Sequence, residues 1–193
     1  QIMATISIIY GSVRSDRQGI KAARFFENTL KEGGHRVNMI DPSVYQFPLL
    51  DKMHKEYDAG KAPEPLETVS KLLKSSDGFI IVSGEYNHSI PPALKNLLDH
   101  FQSEYFFKPS GIVTYSAGSF GGVRAGSDLR AVCGELGMPS ISSMMPIPSV
   151  QKAFEEDGAP IDEAYNKRAD GFLTEFEWYV EAFAKQREKG TPY

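Results

Sequence analysis

The chain has 193 residues, 41% of them hydrophobic and 24% charged, with a formal net charge of −4 and one cysteine. That length fits one domain, 1–193, able to bury roughly 70% of its unfolded surface, and the composition is that of a soluble globular protein. The acidic balance argues against nucleic acid as a partner, and the lone Cys133 excludes an intrachain disulfide and a thiolate metal cluster. No run reaches membrane-spanning length and no signal-peptide pattern opens the chain, so the expected setting is cytoplasmic and reducing.

Strands and helices alternate. Ala4 to Tyr10 predicts a first strand, and Gly11-Ser12-Val13-Arg14-Ser15-Asp16-Arg17 a polar loop. A helix follows from Gly19 to Lys31, with Ile20, Ala23, Phe26 and Leu30 on one face and Gly33-Gly34 as its stop. Arg36 to Ile40 reads as a second strand. The stretch from Ser43 to Pro65 is irregular, with Pro48, Pro63, Tyr45, Phe47 and Tyr57. A loop this long covers a site, reaches a neighbouring subunit, or is a plain surface excursion. Leu66, Val69, Leu72 and Leu73 mark a second helix, and Gly78 to Ser83 a strand apolar on both faces. Leu94, Leu97, Leu98 and Phe101 give a third helix opened by Pro91 or Pro92. Gly111 to Ser116 is a fourth strand and Ala117 to Gly122 a glycine-rich loop. A fourth helix carries Ala125, Leu129, Val132, Cys133 and Leu136. A fifth strand lies near Ser140 to Pro146, and the last helix runs from about Asp162 to Lys185.

Five strands alternating with helices predict a doubly wound parallel sheet, α/β and flavodoxin-like in order 2-1-3-4-5, with helices on both faces in three layers. Ligands in such sheets bind beyond the carboxyl ends of the strands. In this order strands one, three and four are neighbours, so loops 11–18, 84–90 and 116–122 converge on one crevice. The start of the first helix offers unpaired N–H groups and the positive dipole end, to which Ser12, Arg14 and Arg17 add donors. An ordinary strand-to-helix turn with solvated arginines has the same local pattern.

Several chemistries are missing. There is no G-x-x-x-x-G-K-[ST] and no G-x-G-x-x-G, so neither a P-loop nor a dinucleotide fingerprint is present. Ala117-Gly118-Ser119-Phe120-Gly121 approximates a hydrolase elbow, but His35, His54, His88 and His100 all precede Ser119. His88 and His100 read as loop or helix-surface residues, Cys133 as a small core residue, and no metal-ligand spacing appears. The loops suit a flat polar ring with one phosphate arm. The phosphate would lie at Ser12, Arg14 and Arg17, and the ring between Glu85–Ser89 and Ser116–Gly122, with Tyr86 as a wall.

On these residues the chain resembles the NAD(P)H-dependent FMN reductase family. Gly11-Ser12-Val13-Arg14 is similar to its G-S-x-R loop. Glu85-Tyr86-Asn87-His88-Ser89-Ile90-Pro91, followed by Leu94-Lys95-Asn96 and Asp99, is similar to its E-Y-N-x-S-[IV]-P…LKN…D signature. Ser116-x-Gly118-x-x-Gly121-Gly122 with Arg124, and Phe47-Pro48-Leu49, resemble further segments. The likeness spans roughly residues 4 to 145. Gly84 stands where the family usually has proline, and Arg17-Gln18-Gly19 where serine and asparagine are common.

The resemblance implies bound FMN, reduced by NADPH or NADH in ping-pong hydride transfer. Reoxidation would be by a small-molecule electron acceptor such as a quinone, azo dye, free flavin or metal oxyanion. It implies that Gly11, Ser12, Arg14, Arg17, Gln18 and Gly19 surround the phosphate. Glu85, Tyr86, Asn87, His88 and Ser89 line the ring or ribityl chain, and Ser116, Gly118, Ser119, Gly121 and Gly122 meet the ring's pyrimidine end. No side chain is an obligatory acid or base; Asn87 and Tyr86 stand nearest the chemistry. It also implies a homo-oligomer, dimer or tetramer, with the helix after Pro91 and the loop after Asp41 at the interface. Arg124 and Lys108 are candidates for the 2′-phosphate of NADPH. A non-enzymatic flavodoxin-like carrier and a redox-regulated partner-binding flavoprotein share the same fold and cofactor.

Overall fold

A computed structural model describes residues 3–193, so the first two residues of the expected 1–193 domain lie outside the described residues. The strands are β1 (Thr5–Tyr10), β2 (Arg36–Ile40), β3 (Gly78–Ser83), β4 (Ser110–Tyr115) and β5 (Ser140–Ile147). They form one sheet, parallel throughout, in the order β2-β1-β3-β4-β5. The helices are α1 (Ile20–Glu32), α2 (Glu64–Lys74), α3 (Pro92–Asp99), α4 (Val123–Glu135) and α5 (Ala164–Arg187). The flavodoxin-like three-layer α/β arrangement is the one observed.

Alternation along the central strands builds two cores. Ile6, Ile8, Tyr10, Ile80 and Val82 point to one face and pack with α1 and α5 through Phe26, Phe172 and Phe176. Ile9, Phe79, Ile81 and Ile112 point to the other and pack with α2, α3 and α4 through Leu73, Leu98 and Leu129. Period-two side chains on a sheet covered on both sides account for this division. Cys133 is fully buried in the second core, where its thiol is pushed up to about 11 by desolvation, and it is a packing residue.

Helix ends follow local rules. After α1, Gly34 adopts φ +88°, its N–H bonds Lys31 O at 3.0 Å, and the His35 N–H bonds Leu30 O at 3.0 Å. The same pattern closes α4, where Gly137 has φ +78° and the Met138 N–H bonds Cys133 O at 3.0 Å. Only a residue that tolerates left-handed backbone makes these closing bonds without strain. Pro92 occupies the first turn of α3, where its missing N–H removes no bond.

The stretch from 43 to 63 contains only one 3-10 turn, His54–Glu56, and it packs on its own chain. Asn96 of α3 holds it from both directions, accepting the Leu50 N–H at 2.9 Å and donating to Pro48 O at 2.9 Å. Phe47 meets the rings of His100 and Phe101. The His54 ring stands between Glu67 and Glu104, at 3.4 and 3.3 Å.

Three sequence expectations need correction. β4 begins and ends one residue early, because Ser110 pairs with Phe79, and this leaves Ser116 in the following loop. His100 is not a surface residue. It is buried, with its Nδ1 2.6 Å from Asn96 O, because the long loop covers the end of α3. Lys108 is not at the crevice. It precedes β4, at the amino end of the sheet, and its buried ammonium donates to Leu73 O, Lys74 O and Glu104 O at 2.8–3.1 Å.

Candidate active site

The loops leaving β1, β3 and β4 enclose a cleft of about 310 Å³ lined by Ser12, Arg14, Asp16, Arg17, Gln18, Gly84, Glu85, Tyr86, Tyr115, Ser116, Ala117 and Val150. Parallel strands put all their carboxyl ends on one side, and the order of the sheet makes these three loops neighbours. Of the residues singled out in sequence, Ser12, Arg14, Arg17, Gln18, Glu85, Tyr86 and Ser116 line the cleft.

The first loop is arranged for an anion. The Gly11 N–H continues the strand ladder to Val82 O at 3.1 Å, and a Cβ there would lie 2.9 Å from the Leu94 Cβ. Gly11 is thus a packing residue below the cleft. Ser12 is buried, and its Oγ accepts the Arg14 N–H at 3.3 Å. Helix α1 starts after Gly19 with no side-chain cap and no acidic residue in its first turn; the Ile20 and Lys21 N–H groups bond Arg17 O and Gln18 O at 3.4 and 3.2 Å, and the positive dipole end is opposed by no helix carboxylate. Gln18 donates to Asp16 at 2.7 Å.

Arg17 is not a free phosphate ligand as the loop pattern implied. Its guanidinium forks onto Asp41 at 2.5 and 2.7 Å and also donates to Ser43 Oγ at 2.9 Å and Ser12 O at 3.2 Å. It lies over the Tyr10 ring at 5.4 Å, and the Asp41 bond holds the guanidinium above its ordinary pKa. Asp41, at the end of β2, was not among the residues singled out. Arg17 fastens the first loop to the end of β2. The Arg14 guanidinium is exposed and has no hydrogen bond or ion pair among the described residues.

In the second loop Tyr86 and Ser89 exchange two backbone hydrogen bonds of 3.0 Å around Asn87 (φ +49°) and His88 (φ +70°). Two successive left-handed residues make a type I′ hairpin, a conformation asparagine tolerates. Asn87 and His88 are therefore its exposed tip and do not line the cleft. Ser89 Oγ donates to Asp128 Oδ2 at 2.6 Å, tying the hairpin to α4. Glu85 borders the cleft, but its carboxylate accepts the N–H groups of Arg124 and Ala125 at 2.9 and 3.2 Å. The N-cap of α4 is Gly122, which has no side chain, and Glu85 caps the helix from another loop.

The third loop is held from within. Ser116 Oγ donates to Gly118 O at 3.0 Å and accepts the Gly121 N–H at 2.9 Å. The N–H groups of Ser149 and Val150 bond Gly118 O and Ser116 O. Gly121 and Gly122 are buried with φ +64° and +76°, and a Cβ at Gly122 would fall 2.7 Å from Tyr115 O. Gly118 differs: a Cβ there would meet nothing within 4 Å, so its backbone stands bare at the rim. Ser119 and Phe120 are exposed.

Sequence reading missed Tyr115. A Cβ on Gly19 would sit 2.0 Å from its ring and one on Gly84 3.3 Å from it, so the ring is the wedge between the first two loops. Its hydroxyl donates to Tyr10 Oη at 3.4 Å, and burial raises its pKa so far that the phenol stays neutral. The available signal was an aromatic ending a central strand, with a glycine in each flanking loop. Val150, beyond β5, was likewise missed because the fold alone returns that segment to the crevice.

These parts suit a flat ligand with a phosphate arm. An uncapped helix start, Ser12 and Arg14 lie at one end, an aromatic floor and wall in the middle, and side-chain-free backbone at Gly118 at the other. Among the described residues no group of three or more His, Cys, Asp or Glu side chains is arranged to hold a metal ion.

Sheet order, crevice and loop chemistry define a flavodoxin-like mononucleotide-binding protein. The family described as NADPH-dependent FMN reductase matches residues 4–152, and the chain belongs to that family; it is an oxidoreductase that uses FMN and an NAD(P)H donor. A 2-hydroxy-1,4-benzoquinone reductase from a Burkholderia species is 27% identical over 186 residues, covering 91% of this chain and 95% of that relative. A quinone reductase from Pseudomonas putida is 24% identical over 181 residues, covering 91% and 94%. Among solved structures, the flavoenzyme NAD(P)H:(acceptor) oxidoreductase FerB from Paracoccus denitrificans superimposes with a TM-score of 0.73 at 24% identity, covering 95% of this chain and 98% of that one. Among the described residues no helix is long and apolar enough to cross a membrane.

Proposed function

We propose that this chain passes two electrons at a time from NADPH or NADH to quinones and comparable small acceptors, with azo dyes, free flavin and metal oxyanions in the same class. The observation that carries the reading is the convergence of three loops on one cleft beside an uncapped helix start. The names of the relatives support the acceptor class. When bound, FMN supplies the redox chemistry itself.

The chain's own residues bind and orient. Ser12, Arg14, Gln18 and the backbone up to Gly19 hold the phosphate, with Arg17 keeping their loop in shape. Tyr115 and Tyr86 are floor and wall for the ring. Ser116 fixes the curve of residues 116–121, whose backbone N–H groups between Ser116 and Gly121 would take the ring's polar edge. Glu85 and Ser89 lock the second loop to α4. Tyr115 is permanently neutral and Asn87 and His88 stand at an exposed tip, so no side chain is needed as an acid or base. Donor and acceptor reach the same opening in turn, the physical basis of a ping-pong order.

A dimer or tetramer through α3 and the 43–63 stretch is supported by exposed Val44 and Leu49 beside a groove of about 280 Å³ between that stretch and α3. A reducing, cytoplasmic setting is supported by the single buried thiol. The deciding experiment is the absorbance spectrum of the purified protein, followed by anaerobic NADPH or NADH and then 1,4-benzoquinone. The expected result is a yellow protein bleached by donor and recoloured by quinone. A yellow protein that neither donor bleaches is a carrier, and a protein that takes up no FMN ends the reading.

A further inference from the structure

Two guanidinium groups at the crevice lack a hydrogen-bond partner among the described residues. Arg14 lies on the first loop. Arg124 lies in the first turn of α4, across β3 from it. The other arginines near this end are committed: Arg17 to Asp41, and Arg168 to Pro146 O at 2.6 Å. Lys108, the other cation suggested by sequence, is buried at the far end of the sheet.

Arg124 is held without being used up. Its guanidinium carbon lies 5.0 Å from the centroid of Phe120, a ring 66% exposed. The nearest carboxylate oxygen, Glu85 Oε1, is 3.8 Å away, beyond hydrogen-bond reach, and Glu85 Oε2 accepts the backbone N–H groups of Arg124 and Ala125. An exposed aromatic face and a guanidinium fork without a hydrogen bond therefore stand together at the rim, on the far side of the cleft from the loop that takes the cofactor's phosphate. A phosphoryl group arriving there gains paired, charge-assisted bonds and displaces no hydrogen bond of the guanidinium, only its long ion pair with Glu85.

We propose that Arg124 selects the electron donor, its guanidinium receiving the 2′-phosphate of NADPH and making NADPH preferred over NADH. The inference rests on the reductase reading. NADH offers a neutral hydroxyl at that position and forms no paired contact with the fork.

The test uses FMN-loaded protein and two adenosine fragments, adenosine 2′,5′-bisphosphate and adenosine 5′-monophosphate, measured by calorimetry. The wild type is expected to bind the bisphosphate about tenfold more tightly or better, a difference that a single charge-assisted contact produces. In Arg124→Ala the two fragments bind alike, and Arg124→Lys keeps part of the preference. The ratio of kcat/KM for NADPH over NADH falls in parallel. A wild type without preference, or an Arg124→Ala that keeps it, overturns the proposal. So does an Arg124→Ala that weakens both fragments equally, since Arg124 would then hold the shared 5′-phosphate. Flavin absorbance of the same samples separates the two levels. A colourless protein overturns the reductase reading and this inference with it, whereas a yellow one without the preference overturns the Arg124 assignment alone.

Discussion

Asp41 directly follows β2 with only 6% of its surface exposed, and the Arg17 fork is what makes a buried carboxylate tolerable there. Removing one partner of such a pair strands the other charge. Arg17→Ala is therefore expected to cost about 2–4 kcal/mol in urea unfolding. Arg17→Lys recovers only part, because an ammonium cannot make both bonds. Glu85 poses the same kind of test. Glu85→Ala leaves two N–H groups of α4 uncapped and is expected to cost about 1–2 kcal/mol and to weaken FMN binding, read by quenching of flavin fluorescence. Both residues look like ligand contacts in a one-dimensional reading, since charge in a loop is the visible signal. That each was committed to a protein group was not legible, because Asp41 is 24 residues from Arg17 and the α4 amides are about 40 from Glu85.

At the scale of elements, the 43–63 stretch is fastened by a polar cluster. Burial pushes the Glu104 carboxyl up, but the Ser70 hydroxyl, backbone N–H groups and Lys74 outweigh it and leave its pKa below the ordinary 4.5. A depressed carboxyl contributes stability above its unfolded pKa, and that contribution is lost as pH falls through the folded value. The wild type is expected to lose more stability than Glu104→Gln on going from about pH 5 to pH 3, in urea midpoints taken across that window. A parallel fall in both would detach the latch from this carboxylate. Glycine at 19 belongs to the same scale. Gly19→Ala drives a methyl into the Tyr115 ring and is expected to abolish FMN uptake, while Gly118→Ala, in open space, leaves folding intact by circular dichroism.

The whole molecule has two packed faces and one functional end. Binding of FMN to the folded chain alone raises its stability by about 2.7 kcal/mol at a ligand concentration 100 times Kd. The melting temperature is expected to rise by about 5–10 °C in scanning calorimetry, with no rise if the cleft does not bind FMN. The Cys133 thiol, buried and pushed up to about 11, is expected to be inert to Ellman's reagent until the chain unfolds.

The order of elements, the parallel sheet and the three loops at its carboxyl end were determined by the sequence alone. Apolar runs, helical spacing and glycine stops are local signals, and right-handed crossovers leave few ways to assemble them. The E-Y-N-x-S-I-P run and the G-S-x-R loop likewise carried the family. Only the tertiary structure decided what each polar side chain in the crevice does. It turned Arg17 toward Asp41, Glu85 toward α4 and Ser116 toward its own loop, and it left the guanidinium groups of Arg14 and Arg124 without a hydrogen bond. A side chain's hydrogen-bond partner is set by which distant backbone groups packing leaves unsatisfied, and that is settled only when the layers close.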